Sequence, residues 1–378
     1  MAAPLGLETR EQRAVFVTYM ALWVSYGLLN EFAKRNHVVF NSTAAVVLQS
    51  IIKLGIATYM FLTNDAMEKG ATPLLERYRL LATQMNEHRS LLVKYFIPSG
   101  LYVLYDVLSY VNLRKFDAST YFLLLQFRMV ITGVLHQFMF KKKLNRNQWI
   151  SLMVTTIGCA IKTVGSSSSK PGHAAQHSGP PLMAYGLLMV QMLSSTFAGV
   201  YNEVLLKKQA KISFNLQNIF MYLDSIICTT LMLVLGLTGQ TFAEVITPAN
   251  ISVLFSFYVL PMVLIMSFIG VVTSMFLKVL DSIRKAIASA LELVFLPLFC
   301  AVLFGMPLTL PLAVSVLFVS SGVYIYSMPV EDARPTSYAP VAQDDTDLEK
   351  GKDAAVSISA TAATTAARPT ATASTENA

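Results

Sequence analysis

The chain has 378 residues, of which 54% are hydrophobic and 13% are charged, and its formal net charge is +7. This composition is too apolar for a soluble globular domain and is typical of a polytopic membrane protein. The lysines and arginines are dispersed among loops, so no nucleic-acid-binding surface is predicted. The three cysteines, Cys159, Cys228 and Cys300, all fall within apolar stretches, and no disulfide framework, zinc site or other cofactor site is predicted.

Apolar stretches of about 20 residues, the length that crosses a bilayer as a helix, occur ten times along the chain. The fold class is therefore predicted to be an all-α polytopic membrane protein with ten transmembrane helices. The predicted spans are residues 14–32, 44–62, 92–113, 120–140, 149–164, 182–206, 216–237, 254–277, 286–304 and 308–327.

The segments between and beyond these spans are polar. Residues 64–90 are a charged loop with helical character, residues 165–181 a Ser- and Gly-rich linker, and residues 329–378 a tail predicted to be disordered. Lysines and arginines concentrate in alternate loops, so the positive-inside rule places residues 1–13, 64–90 and 329–378 in the cytosol and the linker in the lumen. The sequons at Asn41 and Asn250 fall in loops assigned to the lumenal side, which agrees with both termini being cytosolic.

The two halves of the chain resemble each other. Asp117 in FDASTY corresponds to Asp281 in LDSIRK, and residues 140–158 correspond to 304–322 at the same separation along the sequence. The chance alignment of small and apolar residues is the alternative. If the repeat is real, residues 14–164 and 182–328 form two five-helix repeats, and an odd number of helices in each requires them to be inverted. Inverted repeats predict a binding site at their interface, near the middle of the membrane.

The fourth span contains an arginine, Arg128. An arginine cannot lose its proton, and at the centre of a transmembrane helix it costs about 2.5–3.5 kcal/mol on insertion scales. Such a residue usually faces a water-filled cavity or a partner. Tyr121 lies seven residues earlier and is predicted to share its helix face, where the arginine would bind a phosphate and the tyrosine a nucleotide. The alternative is an arginine that snorkels to the membrane surface or pairs with a carboxylate.

A second polar stripe opens the ninth span, where Asp281, Lys285, Ser289 and Glu292 recur at helical spacing. Lys285 is a second candidate for binding phosphate, and Glu292 is predicted to pair with Lys285 or Arg128. The alternative is that Lys285 only caps the helix at the lipid headgroups.

Five further residues complete the predicted substrate-binding set. Tyr102 and Asp106 form a polar stripe on the third span, where Asp106 either contacts substrate or pairs with Lys53 or Arg128. Lys53, on the second span, needs a partner on another helix. Ser195 lies in a run of small residues that favours close helix packing, and Asn218 either hydrogen-bonds a nucleobase or ends a helix. The motifs HExxH, GxSxG and Walker A are absent from the sequence, so an enzyme is not predicted.

Four stretches of the chain resemble the nucleotide-sugar transporters of the drug/metabolite transporter superfamily, in the branch for UDP-galactose, UDP-N-acetylglucosamine and CMP-sialic acid. They are FDASTYFLLLQFRMVITGVL with KKLNRNQWISLMVTTIG, SSTFAGVYNEVLLKK with FNLQNIFMY, LDSIRKAIASALELV, and AVSVLFVSSGVYIYSMP.

The resemblance implies an antiporter of the Golgi or endoplasmic reticulum membrane that exchanges cytosolic nucleotide sugar, here a UDP-sugar, for lumenal nucleoside monophosphate. It implies that Tyr102, Tyr121, Asn218 and Lys285 line the cavity. Relatives usually have lysine at Arg128, tyrosine at Leu125, an Asn-Asn pair at Asp106-Val107 and glutamate at Ser50. The alternatives are a carrier of another phosphorylated or organic anion and a non-transporting scaffold that acts through its tail. The sequence leaves open whether the protein is a homo-oligomer.

Overall fold

A computed structural model describes residues 5, 7–71, 73–116, 118–141, 143–167, 182–237, 240–305 and 307–328. The predicted tail, 329–378, lies outside these residues, as do Asp117 and all but the first three residues of the predicted linker, 165–181. Those first three residues are the end of a helix.

Every regular element among the described residues is a helix. The long helices are α1 (Arg10–Arg35), α2 (Ser42–Met60), α5 (Arg89–Lys115), α8 (Arg146–Ser167), α9 (Leu182–Lys208), α10 (Phe214–Val234), α13 (Leu260–Val279), α14 (Ser282–Phe304) and α15 (Leu310–Ser327). Two helices, α6 (Ala118–Leu125) and α7 (Arg128–Phe140), together occupy the predicted fourth span. The short elements are a π-helical turn (Phe61–Asp65), α3 (Ala66–Glu68), α4 (Leu74–Glu87), α11 (Phe242–Val245) and α12 (Pro248–Leu254).

Each of the ten predicted spans coincides with one of the long helices or with the α6–α7 pair. Among the described residues, eight of these segments are long and apolar enough to cross a membrane. Helices α1 and α8 are not among these eight. An all-helical fold rich in membrane-spanning segments is thus confirmed, while the full count of ten spans stays a prediction.

Helices α8 and α15 approach closely at two glycines. A methyl group on Gly158 would lie 2.7 Å from Cβ of Phe318 and 3.2 Å from the backbone nitrogen of Val319. On the other helix, Gly322 faces Thr155, and its carbonyl accepts a 2.7 Å hydrogen bond from the hydroxyl of Ser151. Small residues allow this approach, which brings polar groups within hydrogen-bonding distance between helices.

The helix boundaries follow the spacing of the sequence repeat. Helix α7 ends at Phe140 and is followed by Lys141 in the left-handed conformation (φ 53°). Helix α14 ends at the corresponding Phe304 and is followed by Gly305, also left-handed (φ 64°). The first residues of α6 and α14 are separated by the same interval, and so are those of α8 and α15. The sequence correspondence therefore extends to where the helices begin and end.

We expect Gly158→Ala to destabilise the protein, because the added methyl group has no room against α15. Overpacking of this kind typically costs about 1–3 kcal/mol, so the thermal unfolding temperature measured in detergent should fall. Gly186→Ala on α9 is the matched control, because nothing lies within 4 Å of a methyl group added there. Equal unfolding temperatures for the two variants would contradict the close approach of α8 and α15.

Candidate functional site

The helix that carries Arg128 is interrupted immediately before it. Helix α6 ends at Leu125 and α7 begins at Arg128. Between them, the backbone N–H groups of Gln126 and Phe127 donate to carbonyls three residues earlier, over 3.1 Å each, as in a tight 3₁₀ turn. Interrupted helices inside a membrane are tolerated where they line a polar cavity. The interruption makes Arg128 the first residue of a new helix.

Arg128 faces a cavity of about 440 Å³. Its walls come from α1, α5, α6, α7, α8, α9 and α14, and they combine aromatic rings, hydroxyl groups and charged side chains. Among the residues that line it are Tyr19, Trp23, Tyr102, Tyr105, Leu125, Gln126, Arg128, Cys159, Ser195, Ser282, Lys285, Ser289 and Glu292.

Five of the nine predicted substrate-binding residues line this one cavity. They come from four helices that are distant in sequence: Tyr102, Arg128, Ser195, Lys285 and Ser289. The remaining four, Lys53, Asp106, Tyr121 and Asn218, do not belong to its lining.

The charges of the cavity are predominantly positive. Arg128 and Lys285 are close enough to interact electrostatically, so an anion between them would relieve their repulsion. The carboxylate of Glu292 interacts electrostatically with Lys162 of α8 and, more weakly, with Arg128. The predicted pairing of Glu292 with Lys285 or Arg128 stays a prediction. Lys162 is not among the residues predicted from the sequence, although a lysine inside the span 149–164 is a readable signal.

Tyr121 lies behind the cavity wall, in a buried hydrogen-bond network. Its side chain is only 2% exposed, and its hydroxyl oxygen accepts a 2.7 Å hydrogen bond from the amide of Gln191 on α9. The same amide group donates to the hydroxyl of Ser109, and the Gln191 carbonyl accepts from Asn112, each over 2.7 Å. The network joins α5, α6 and α9, and it supports the helix that carries Leu125 into the cavity lining.

Lys53 and Asp106 interact with each other across α2 and α5. The lysine stem packs over Gly270 of α13, where an added methyl group would lie 2.5 Å from Cε of Lys53. This arrangement agrees with the structural alternative for Asp106, as the partner of Lys53. Asn218 is 1% exposed, and its side-chain nitrogen makes no hydrogen bond within the described part of the chain.

A buried carboxylate lies beside the first turn of α14, at the end of the cavity where this turn contributes to the wall. Glu203 of α9 is 0% exposed and accepts hydrogen bonds from the backbone N–H (2.8 Å) and hydroxyl (2.5 Å) of Ser282. Lys207 donates to the same carboxylate over 2.7 Å, and Nε2 of His136 on α7 lies 3.7 Å away. A carboxylate at a helix N-terminus is stabilised by the helix dipole. The contacts tie α7, α9 and α14 together beside the cavity.

The sequence analysis did not single out Glu203, although it is the last residue of the FAGVYNE motif. Its neighbour in space, Asp281, lies just outside the α14 span and caps the helix by accepting a 2.7 Å hydrogen bond from the backbone N–H of Arg284. Burial alone would raise the pKa of Asp281. The charge of Arg284, whose Nη1 lies 2.8 Å away, the hydrogen bond from its backbone N–H, and the charges of Lys207 and His136 together outweigh burial and lower that pKa.

Long apolar helices around a polar, positively charged cavity are features of a membrane carrier for anions.

Residues 12–327 match the sequence model of the nucleotide-sugar transporters. The chain is 35% identical over 344 residues to the UDP-galactose transporter senju of Drosophila melanogaster, covering 83% of this chain and 85% of the relative. The UDP-galactose translocator of Mus musculus is 30% identical over 301 residues, covering 77% and 71%. The CMP-sialic acid transporter 2 of Oryza sativa subsp. indica is 29% identical over 234 residues, covering 62% and 63%.

The chain belongs to the nucleotide-sugar transporter family. Members of this family are transporters and not enzymes. A solved crystal structure also superposes on the chain with a TM-score of 0.54 at 11% identity, covering 83% of this chain and 98% of that one. At that identity the likeness shows the fold alone.

We expect Tyr121→Phe to lower stability without changing the affinity for ligand. The substitution leaves the ring in place and removes one buried hydrogen bond, which typically contributes about 1 kcal/mol. The unfolding temperature should fall by a few degrees, while the KM of transport stays within about twofold of the wild-type value. A large rise in KM at unchanged stability would instead make Tyr121 a direct substrate contact. Tyr222→Phe on α10, outside the cavity lining, is a matched control for KM.

Proposed function

We propose that the protein exchanges cytosolic nucleotide sugar, a UDP-sugar, for lumenal nucleoside monophosphate by alternating access. The observation that carries the proposal is that Arg128 and Lys285, from different halves of the chain, face one cavity. Two relatives named for UDP-galactose, one of them 35% identical, support a UDP-sugar as the substrate.

The cavity has the chemistry that a nucleotide requires. The planar guanidinium of Arg128 suits bidentate binding of a phosphate, and the ammonium of Lys285 adds a second positive charge. Tyr102 and Trp23 supply aromatic surface, and Ser195 and Ser289 supply hydroxyl groups for hydrogen bonds to ribose or sugar. A nucleoside monophosphate retains the phosphate and base, so it satisfies the same groups on the return step.

The proposal includes ten membrane helices arranged as two inverted five-helix repeats. The equivalent left-handed residues after α7 and α14 support it, and so do the matched starts of α6 with α14 and of α8 with α15. The paired glycines Gly158 and Gly322, which occupy equivalent positions, lie at the same crossing of α8 with α15. Alternating access is then a rocking of one bundle against the other around the cavity.

We place both termini in the cytosol and the protein in the Golgi membrane. The distribution of lysines and arginines among the loops supports the orientation. The names of the relatives support the location, because nucleotide sugars are the donors for glycosylation in the lumen.

The test is uptake of labelled UDP-galactose by liposomes that contain the purified protein, with UMP or no nucleotide inside. We expect UMP inside the liposomes to stimulate uptake. Arg128→Gln and Lys285→Gln should each raise KM by about 10- to 100-fold, because a charge-assisted hydrogen bond contributes roughly 1.5–3 kcal/mol.

The matched control is Lys278→Gln, because Lys278 lies at the end of α13 and outside the cavity lining. Its KM should equal the wild-type value. A panel of UDP-, GDP- and CMP-sugars identifies the substrate, and failure of UMP to stimulate uptake of any of them would overturn the proposal.

A further inference from the structure

Arg128 and Glu292 occupy equivalent positions in the two halves of the chain. The interval between them along the sequence equals the interval between Phe140 and Phe304 and between Gly158 and Gly322. Both residues line the same cavity and interact electrostatically. The two halves therefore contribute opposite charges to the cavity from one repeated position.

Glu292 is further surrounded by positive charge. Lys162 of α8 interacts with it, and Cys159, one turn earlier on α8, lines the cavity beside it. Lys285 lies two turns away on the same helix and interacts electrostatically with Glu203. Glu292 is thus the carboxylate that lines the cavity together with Arg128.

We propose that Glu292 is the internal counter-ion of the transport cavity. In the empty carrier its carboxylate offsets the charges of Arg128 and Lys162, and an incoming phosphate replaces it as the partner of Arg128. The inference rests on the proposed function, and it adds the residue that limits how tightly the cavity holds an anion. Without Glu292 the cavity binds nucleotide more tightly and releases it more slowly.

Two features support competition over a direct contact with the sugar. Glu292 and phosphate are both anions, and Arg128 lies within electrostatic reach of both Glu292 and Lys285. A carboxylate beside a bound phosphate would repel it, so binding of both anions to the Arg128 guanidinium at the same time is unfavourable. Displacement of one by the other resolves this conflict.

The test is Glu292→Gln in the liposome assay, with UMP exchanged for UMP so that the probe contains no sugar. We expect KM for UMP to fall by about 10-fold, and the maximal rate to fall with it because release becomes slower. The double variant Lys162→Gln/Glu292→Gln removes one charge of each sign, and its KM should return to within about threefold of the wild-type value. Glu31→Gln on α1, which pairs with Arg35 outside the cavity lining, is the matched control and should leave KM unchanged.

The outcomes separate the inference from the function on which it rests. A wild-type protein that exchanges UMP, with an unchanged or raised KM in Glu292→Gln, overturns only the inference. An effect confined to UDP-galactose and absent with UMP also overturns it, since Glu292 would then contact the sugar. A wild-type protein that exchanges no nucleotide overturns the proposed function and the inference together. A variant that only unfolds at lower temperature, with normal KM, assigns Glu292 a purely structural role.

Discussion

The structure depends on holding fixed positive charge inside a low-dielectric membrane. Arg128 cannot lose its proton, so it must face water, an anion or a carboxylate. The interruption between α6 and α7, the hydroxyl groups around the cavity and Glu292 all follow from that requirement. Arg128 is also the side chain that we propose binds a phosphate.

The two cavity cations are each matched to a carboxylate of the second half of the chain. Lys285 interacts with Glu203, and Arg128 interacts with Glu292. Glu203 is itself held by the first turn of α14 and by Lys207. The carboxylate that offsets the charge of Lys285 therefore also joins α9 to α14.

The sequence was informative where a single residue carried the signal. Arg128 and Lys285 are intramembrane cations, and each was placed in the cavity without knowledge of the fold. Tyr121 was grouped with Arg128 because residues seven apart share a face of a continuous helix. The turn at Gln126 breaks that helix and changes its phase, so Arg128 faces the cavity while Tyr121 reaches Gln191. The role of Glu203 depends on contacts between distant helices, which one sequence does not specify.

The repeated position that carries Arg128 and Glu292 bears on the exchange of ligands that we propose. Two arginines there would double the attraction for phosphate and hold it in either orientation of the cavity. An arginine opposite a glutamate leaves the site less positive than two arginines would, and in our proposal phosphate enters by displacing a like charge. The architecture of the two halves is repeated, and the charge is not. This difference suits the proposed exchange, because the site must bind an anion firmly enough to load and loosely enough to release it on the other side.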